Sequence, residues 1–349
     1  MMNRRTFFAT CAALPVLDRL VPDDAPTASS STASPNSLQS VPRIRVYKPR
    51  PDMWSDDTVT VAWIGHSTML IKMFGVTILT DPVLFDRVGL YVFGTTFGLT
   101  RFVPPALPFE QIPKPDVVLL SHAHLDHCDY YSLKRLTERH PNTITAVVAA
   151  NTRDVVESLA WKRLVELDWH EELRLELQTL QEPSAELVVR ALPVKHVGWR
   201  LPGDPDRAQG FAKGRSFNAY LVEHKGKRVV FGGDTAYTDA FADLGRQLAA
   251  NGHHVDIAMM PIGAYFPWKA VHCTPEEALQ MAEAMRAAWF VPMHCNTFPL
   301  GREATNEPLE RLQTAFVRAS THLSTHTTTN GIQLALDSIG KTFVLPNRP

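Results

Sequence analysis

The chain has 349 residues, enough for one large domain or two small ones, and its 45% hydrophobic and 20% charged residues are ordinary for a globular protein. A formal net charge of −1 excludes broad electrostatic attraction to nucleic acid or to an anionic membrane. The four cysteines, Cys11, Cys128, Cys273 and Cys295, form no C-x-x-C pair, which excludes a zinc knuckle or a thioredoxin-like motif, and no apolar stretch is long enough to span a bilayer.

Residues 1–44 do not read as core. Asn3-Arg4-Arg5-Thr6-Phe7-Phe8 is similar to a twin-arginine export signal, followed by a modest apolar run that Asp18 and Arg19 interrupt. Residues 25–40 are a Ser/Thr/Ala/Pro-rich linker that cannot bury enough surface to order itself. Two readings stand: an exported, periplasmic or membrane-associated protein, which we prefer, or a cytoplasmic one with a disordered tail.

The globular part is residues 45–349. Val59 to Ile64, Thr68 to Met73 and Val76 to Leu79 read as strands, with a turn at Gly75. Phe85 to Phe109 is a long connection rich in aromatic residues, and connections this long are often functional. Leu90, Tyr91, Val92, Phe93, Phe97 and Phe102 have two readings, the wall of an apolar substrate groove or packing onto the core. Val117 to Leu120 is a buried strand. Tyr130 to Arg139 is a helix, Ile144 to Ala149 a strand and Thr152 to Leu159 a short helix.

Glu171 to Gln178 and Glu186 to Pro193 begin a second sheet. Gly198 to Gly214 is a candidate lid. Ser216 to Glu223 and Arg228 to Phe231 form a hairpin turned at Gly226, and Thr238 to Ala249 is a helix. Asp256 to Met260 is a strand. Thr274-Pro275-Glu276-Glu277 signals a helix start, with an N-cap Thr, Pro at the first position and Glu three residues on. Phe290 to Met293 is a strand, Glu307 to Arg318 a helix, and short strands near Ile332 and Phe343 close the chain. Strands alternating with helices in both halves predict an α/β (α+β) fold of two face-to-face sheets with helices outside.

The densest chemistry lies in Ser121-His122-Ala123-His124-Leu125-Asp126-His127, directly after a buried strand. A helix does not suit it, because residues two apart on a helix do not share a face. Extended or looping backbone puts His122 and His124 on one side and lets Asp126 and His127 turn to a second point. One turn then serves two cations about 3.5–4 Å apart, the spacing of two-metal hydrolases.

H-x-H-x-D-H is the signature of the metallo-β-lactamase-fold hydrolases, which this chain resembles. Trp63-Ile64-Gly65-His66-Ser67-Thr68, Leu79-Thr80-Asp81-Pro82-Val83, Gly233-Asp234-Thr235 and Pro261-Ile262-Gly263-Ala264-Tyr265 extend the resemblance to the branch with N-acyl-phosphatidylethanolamine-hydrolysing phospholipase D. It covers roughly Val59 to Phe298 and implies a four-layer αββα sandwich.

The resemblance implies two zinc ions, with iron or manganese as alternatives. His122, His124 and His196 would hold the first, Asp126, His127 and His294 the second, and Asp234 would bridge them. A hydroxide shared by the two ions would attack the substrate, with Asp126 and Asp234 as the catalytic carboxylates. His272 is either a general acid or phosphate contact, or a surface histidine. Tyr265 is a weaker substrate contact and His66 an orienting residue. His140, His170, His224, His253, His254, His322 and His326 read as surface.

The expected activity is therefore hydrolysis of a phosphodiester such as an N-acyl-phosphatidylethanolamine-like lipid. Rivals are a lactone, amide or β-lactam hydrolase of the same fold, and a non-catalytic metal-binding or sensing protein. The partner is a small-molecule or lipid substrate, with a membrane surface as one setting, and no nucleic acid. Ala123, Leu125, Ala236 and Phe266 stand where the branch commonly has other residues. They change the pocket lining and leave the ligands intact.

Overall fold

The computed structural model describes residues 44–177, 185–321 and 331–346, within a unit running from Pro42 to Pro349. The Arg4-Arg5 motif, the linker, His322 and His326 lie outside the described residues. Alternation of apolar side chains builds the first sheet. In β1 (Val59–Gly65), Val59, Val61 and Trp63 enter one buried cluster while Ala62 and Ile64 enter another. The turn at Gly75 connects β2 (Thr68–Met73) to β3 (Val76–Thr80), antiparallel to it.

The segment 85–109 is not the unstructured connection expected from its sequence. It holds a hairpin, β4 (Arg87–Val92) and β5 (Thr95–Thr100), paired through all six residues. Phe102 fits the groove expectation, since it lines one cavity with His66 and His294. Phe93, Phe97 and Phe102 are exposed, while Tyr91 stacks on Tyr131 at a ring distance of 5.1 Å.

Beyond it come β6 (Val117–Leu120), α1 (Tyr130–Arg139), β7 (Thr145–Ala149), α2 (Arg153–Val156) and β8 (Arg163–Leu167). The strand β8 was not expected, because Arg163 and Glu166 break its apolar pattern. Among the described residues the first sheet has the order β16-β1-β2-β3-β6-β7-β8, where β16 is Thr342–Val344.

The second sheet is built from β9 (Glu172–Leu177), β10 (Ala185–Pro193), β11 (Asn218–His224) and β12 (Lys227–Phe231), then β13 (Ile257–Pro261), β14 (Trp289–Met293) and β15 (Gln333–Leu334). Its order is β15-β14-β13-β12-β11-β10-β9. The helices α3 (Ala240–Ala250), α4 (Pro275–Ala284) and α5 (Glu307–Thr321) accompany it. The expected start of α4 is present: Thr274 Oγ1 accepts from Glu277 N at 3.3 Å, and Glu277 accepts from Thr274 N at 2.9 Å.

Inward residues Val61, Ile71, Val117, Leu119 and Val147 of the first sheet share a cluster with Leu187, Val189 and Val229 of the second. The opposite face of the first sheet, with Ile64, Leu70, Val118 and Leu120, packs on Leu133 and Leu136 of α1 and Val156 of α2. Phe241 and Leu244 of α3 and Leu279 of α4 join the central cluster from the far side. The layers are thus helix, sheet, sheet, helix, the αββα arrangement. Among the described residues no helix is long and apolar enough to cross a membrane.

His224, expected at the surface, is buried. It ends β11 against β10, and its Nδ1 lies 2.8 Å from the carbonyl oxygen of Glu186, so the neighbouring strand gives it a partner. His170 and His253 are exposed, and His140 and His254 are half-buried.

Candidate metal centre

Six strand ends converge at one edge of the sandwich. β1 delivers His66, β3 Asp81, β6 the turn from Ser121 to Cys128, β10 His196, β12 Asp234 and β14 His294. A rigid scaffold of this kind aims side chains better than free loops do. His66 (φ 52°), Asp81 (φ 32°) and His294 (φ 60°) are held in left-handed backbone. Such strain persists only where surrounding structure enforces it, and it gathers at functional sites. Before Asp234, Gly233 has φ 56°, and a Cβ there would lie 2.6 Å from the carbonyl oxygen of Asn218. That close approach requires glycine.

The turn is tight, with His127 N and Cys128 N both donating to the His124 carbonyl, at 3.1 and 2.8 Å. His122 Nε2 lies 2.8 Å from His124 Nδ1, and His196 Nε2 lies 3.3 Å from the same atom. These three edges form one set. A second set groups Asp126, His127 and His294 with His66. Asp234 Oδ2 joins the two, lying 3.1 Å from His127 Nε2, 3.0 Å from His294 Nε2 and 3.8 Å from His196 Nε2.

Hydrogen bonds behind the cluster fix the ring tautomers. Asp81 only accepts, so it takes Ser121 N at 2.8 Å, Ser121 Oγ at 2.6 Å and His127 Nδ1–H at 2.7 Å. The Ser121 hydroxyl proton is then committed, so His122 Nδ1, 2.8 Å from Ser121 Oγ, must be the donor. His196 Nδ1 donates to the carbonyl oxygen of Val271 at 2.8 Å. In the neutral form of all three rings the Nε2 lone pair faces the cluster, the arrangement a metal ligand needs. The sequence motif containing Asp81 was recognisable, but its buried role was not assigned.

Charge follows geometry. Burial pushes the His122 imidazole well below its ordinary value and takes His124 and His66 to about 3, so these rings stay neutral. Burial also lowers His196. Burial alone would raise Asp126 and Asp234, but the surrounding histidines, His127 foremost, outweigh it and hold both carboxyls well below the usual range. Burial opposes protonation of His127 and His294 too. Asp234 and Asp126 overcome it, raising His127 well above normal and His294 to about 9. The carboxylates thus gather positive charge around themselves, as protons or as cations.

The donor set fits divalent cations. His127 Nε2, His294 Nε2 and Asp234 Oδ1 are buried without a hydrogen-bond partner, in a centre built of imidazole and carboxylate. All seven residues expected to hold metal are brought together. His66 Nε2 lies 3.0 Å from Asp126 Oδ2, which suits an orienting role as well as membership of the second set. His272 is buried rather than at the surface. Its Nδ1 lacks a partner and lies 3.9 Å from Asp234 Oδ2, and burial drives it well below its ordinary value.

Tyr265 is not brought into the cluster. Its hydroxyl donates to Glu307 at 2.7 Å and its ring lies under Arg311, so it braces α5. Cys128, Cys273 and Cys295 are buried and unpaired, as small neighbours of site residues. Residues 76–295 match the family model of the β-lactamase superfamily domain, so the chain belongs to that family and is a metallo-β-lactamase-fold hydrolase.

Among curated proteins it is 31% identical over 273 residues to an uncharacterized protein of Mycobacterium tuberculosis, covering 76% of this chain and 66% of that one. It is 29% identical over 272 residues to N-acyl-phosphatidylethanolamine-hydrolyzing phospholipase D 1 of Caenorhabditis elegans, covering 75% of this chain and 71% of that protein. Igni18, described as a novel metallo hydrolase from Ignicoccus hospitalis, shares the fold with a TM-score of 0.55 and 19% identity. That match covers 84% of this chain and all of Igni18.

Proposed function

We propose that the chain is a phosphodiesterase of the N-acyl-phosphatidylethanolamine phospholipase D type that works with two divalent cations, zinc being the best match to the ligands. One observation carries the reading: two sets of ligand atoms meet at a single carboxylate oxygen, Asp234 Oδ2. In this reading His122, His124 and His196 hold one cation, Asp126, His127 and His294 the other, and Asp234 both. Bound cations would acidify a water and polarise the substrate oxygen. His66 orients Asp126, and His272 faces the substrate, where it holds a phosphate oxygen, or protonates the leaving group once the bound phosphate's negative charge has raised it.

The likeness to the Caenorhabditis elegans phospholipase D supports a phosphodiester, and the same likeness supports a lipid. The leader resemblance at Arg4-Arg5 supports an exported protein in which residues 1–44 precede a separate hydrolase domain. The test is a substrate screen with zinc-loaded protein. Turnover of bis(4-nitrophenyl) phosphate and of N-acyl-phosphatidylethanolamine is expected, with little turnover of lactones or a β-lactam. The opposite ranking refutes the phosphodiesterase reading.

A further inference from the structure

The segment 198–214, a candidate lid by its sequence, is tied down at its neck. A Cβ at Gly198 would lie 2.3 Å from the carbonyl oxygen of Arg215, so only glycine allows the two strands of the neck to touch. Asp206 is fully buried and accepts from Gly198 N at 2.9 Å, Trp199 N at 3.3 Å and Ala208 N at 2.8 Å. Asp204 Oδ2 accepts from Arg200 N at 3.1 Å, Leu201 N at 3.3 Å and Arg215 Nε at 2.8 Å. The backbone on both sides of Arg200 is therefore fixed before its side chain is considered.

That side chain crosses to the metal-ligand turn. Arg200 Nη1 donates to the carbonyl oxygens of Ala123 and Cys128, both at 2.8 Å. These two carbonyls bracket the run from His124 to His127. One nitrogen with two protons thus spans the turn, a geometry a planar, always-charged guanidinium supplies without reorganising. The adjacent Trp199 packs edge-on against the His124 ring, with centroids 5.1 Å apart. Two neighbouring residues of one excursion therefore grip the turn from outside the ligand cluster.

We propose that Arg200 is a positioning residue, which clamps the turn carrying His124, Asp126 and His127 in its ligand-holding shape before any cation arrives. The consequence for metal affinity rests on the reading of those residues as ligands. The clamp itself does not, because its hydrogen bonds go to backbone carbonyls and use no ligand atom. A residue that merely filled two carbonyls would stabilise the fold without shaping the turn. The two roles differ in what happens locally.

The experiment compares Arg200→Met, Arg200→Lys and Arg207→Met in the full chain. Arg207 belongs to the same excursion but stacks on Trp169 at 4.0 Å and pairs with Asp168, away from the turn. In metal-free protein, hydrogen exchange at the His127 and Cys128 amides should quicken about tenfold or more in Arg200→Met, the cost of roughly one lost hydrogen bond. Arg200→Lys, which keeps a donor, should recover part of this, and Arg207→Met should leave those amides unchanged.

By chelator competition, Arg200→Met should bind zinc about 10–100-fold more weakly, as for other groups that orient ligands. Unchanged exchange in Arg200→Met, or an equal effect of Arg207→Met, overturns the proposal. If Arg200→Met does not fold, the comparison of Arg200→Lys with Arg207→Met decides it. Wild-type protein that binds no zinc would refute the metal reading, while the exchange data would still decide the clamp.

Discussion

Asp81→Asn is the most informative single change near the centre. Asp81 is not one of the seven expected ligands, yet it contacts His127 through Nδ1 at 2.7 Å and His122 through Ser121 Oγ. Ser121 N and His127 Nδ1–H each need an acceptor, at Oδ1 and Oδ2 respectively. An amide has one oxygen. Whichever way the new side chain is turned, its NH2 group faces a donor. If it faces His127, the ring must move its proton to Nε2, the atom that should face a cation.

Losing one hydrogen bond of this charged kind costs about 1.5–3 kcal/mol. In metal affinity, groups that orient ligands are worth about 10–100-fold, or roughly 1.4–2.7 kcal/mol. Zinc titration against a chromophoric chelator should therefore show the ion held by His127 weakened 10–100-fold. The ion held by His122 should weaken less, because Ser121 stands between. Both affinities within twofold of wild type, in a variant of unchanged far-ultraviolet circular dichroism, would refute the tautomer argument.

Further outcomes are expected. Asp234→Asn should weaken the second ion, measured by elemental analysis, and cut turnover about a hundredfold or more; normal turnover with two ions bound would remove Asp234 from the bridging role. His272→Ala should keep both ions but lose about 10²–10⁴-fold against an alkyl phosphodiester and much less against a nitrophenyl one. An equal large loss on both substrates would mark it as a phosphate contact, and no loss would remove it from the reaction. The metal-free chain should be less stable in acid. His66 and His124 titrate at about 3 when folded against an ordinary 6.5, so their stabilisation is complete above 6.5 and is lost as pH falls toward 3. A urea midpoint no lower at pH 5 than at pH 7 would contradict this. Replacing Arg4 and Arg5 by Lys should strand active protein in the cytoplasm; unchanged fractionation would favour the cytoplasmic reading.

The ligand turn was legible because four ligand residues, three His and one Asp, fall within six positions after an apolar strand, a pattern that local sequence alone produces. The α4 cap was legible for the same reason, since Thr274, Pro275 and Glu277 act on one another within one turn. What escaped was set by distant neighbours. Asp81 acquires its role from Ser121 and His127, 40 and 46 positions away. His224 is buried because a carbonyl on β10 accepts it, and Tyr265 is tied to α5 because Glu307 claims its hydroxyl. The hairpin β4–β5 hid among residues that also suit a loop. Gly89 faces Gly98 where strands usually carry bulkier side chains.

The division of the cluster between two sheets has a consequence for assembly during synthesis. His122, His124, Asp126 and His127 all leave the ribosome on the first sheet's strands, whereas Asp234 and His294 come from the second. His66 N is anchored by Thr297 Oγ1, 231 positions later. Closing loops of that span is slow compared with forming a local turn. A half-made chain therefore exposes an imidazole-rich turn without its joining carboxylate. An ion captured at that stage meets an open, partial set of ligands. On the metal-centre reading, selection among divalent cations would then belong to the moment the halves dock.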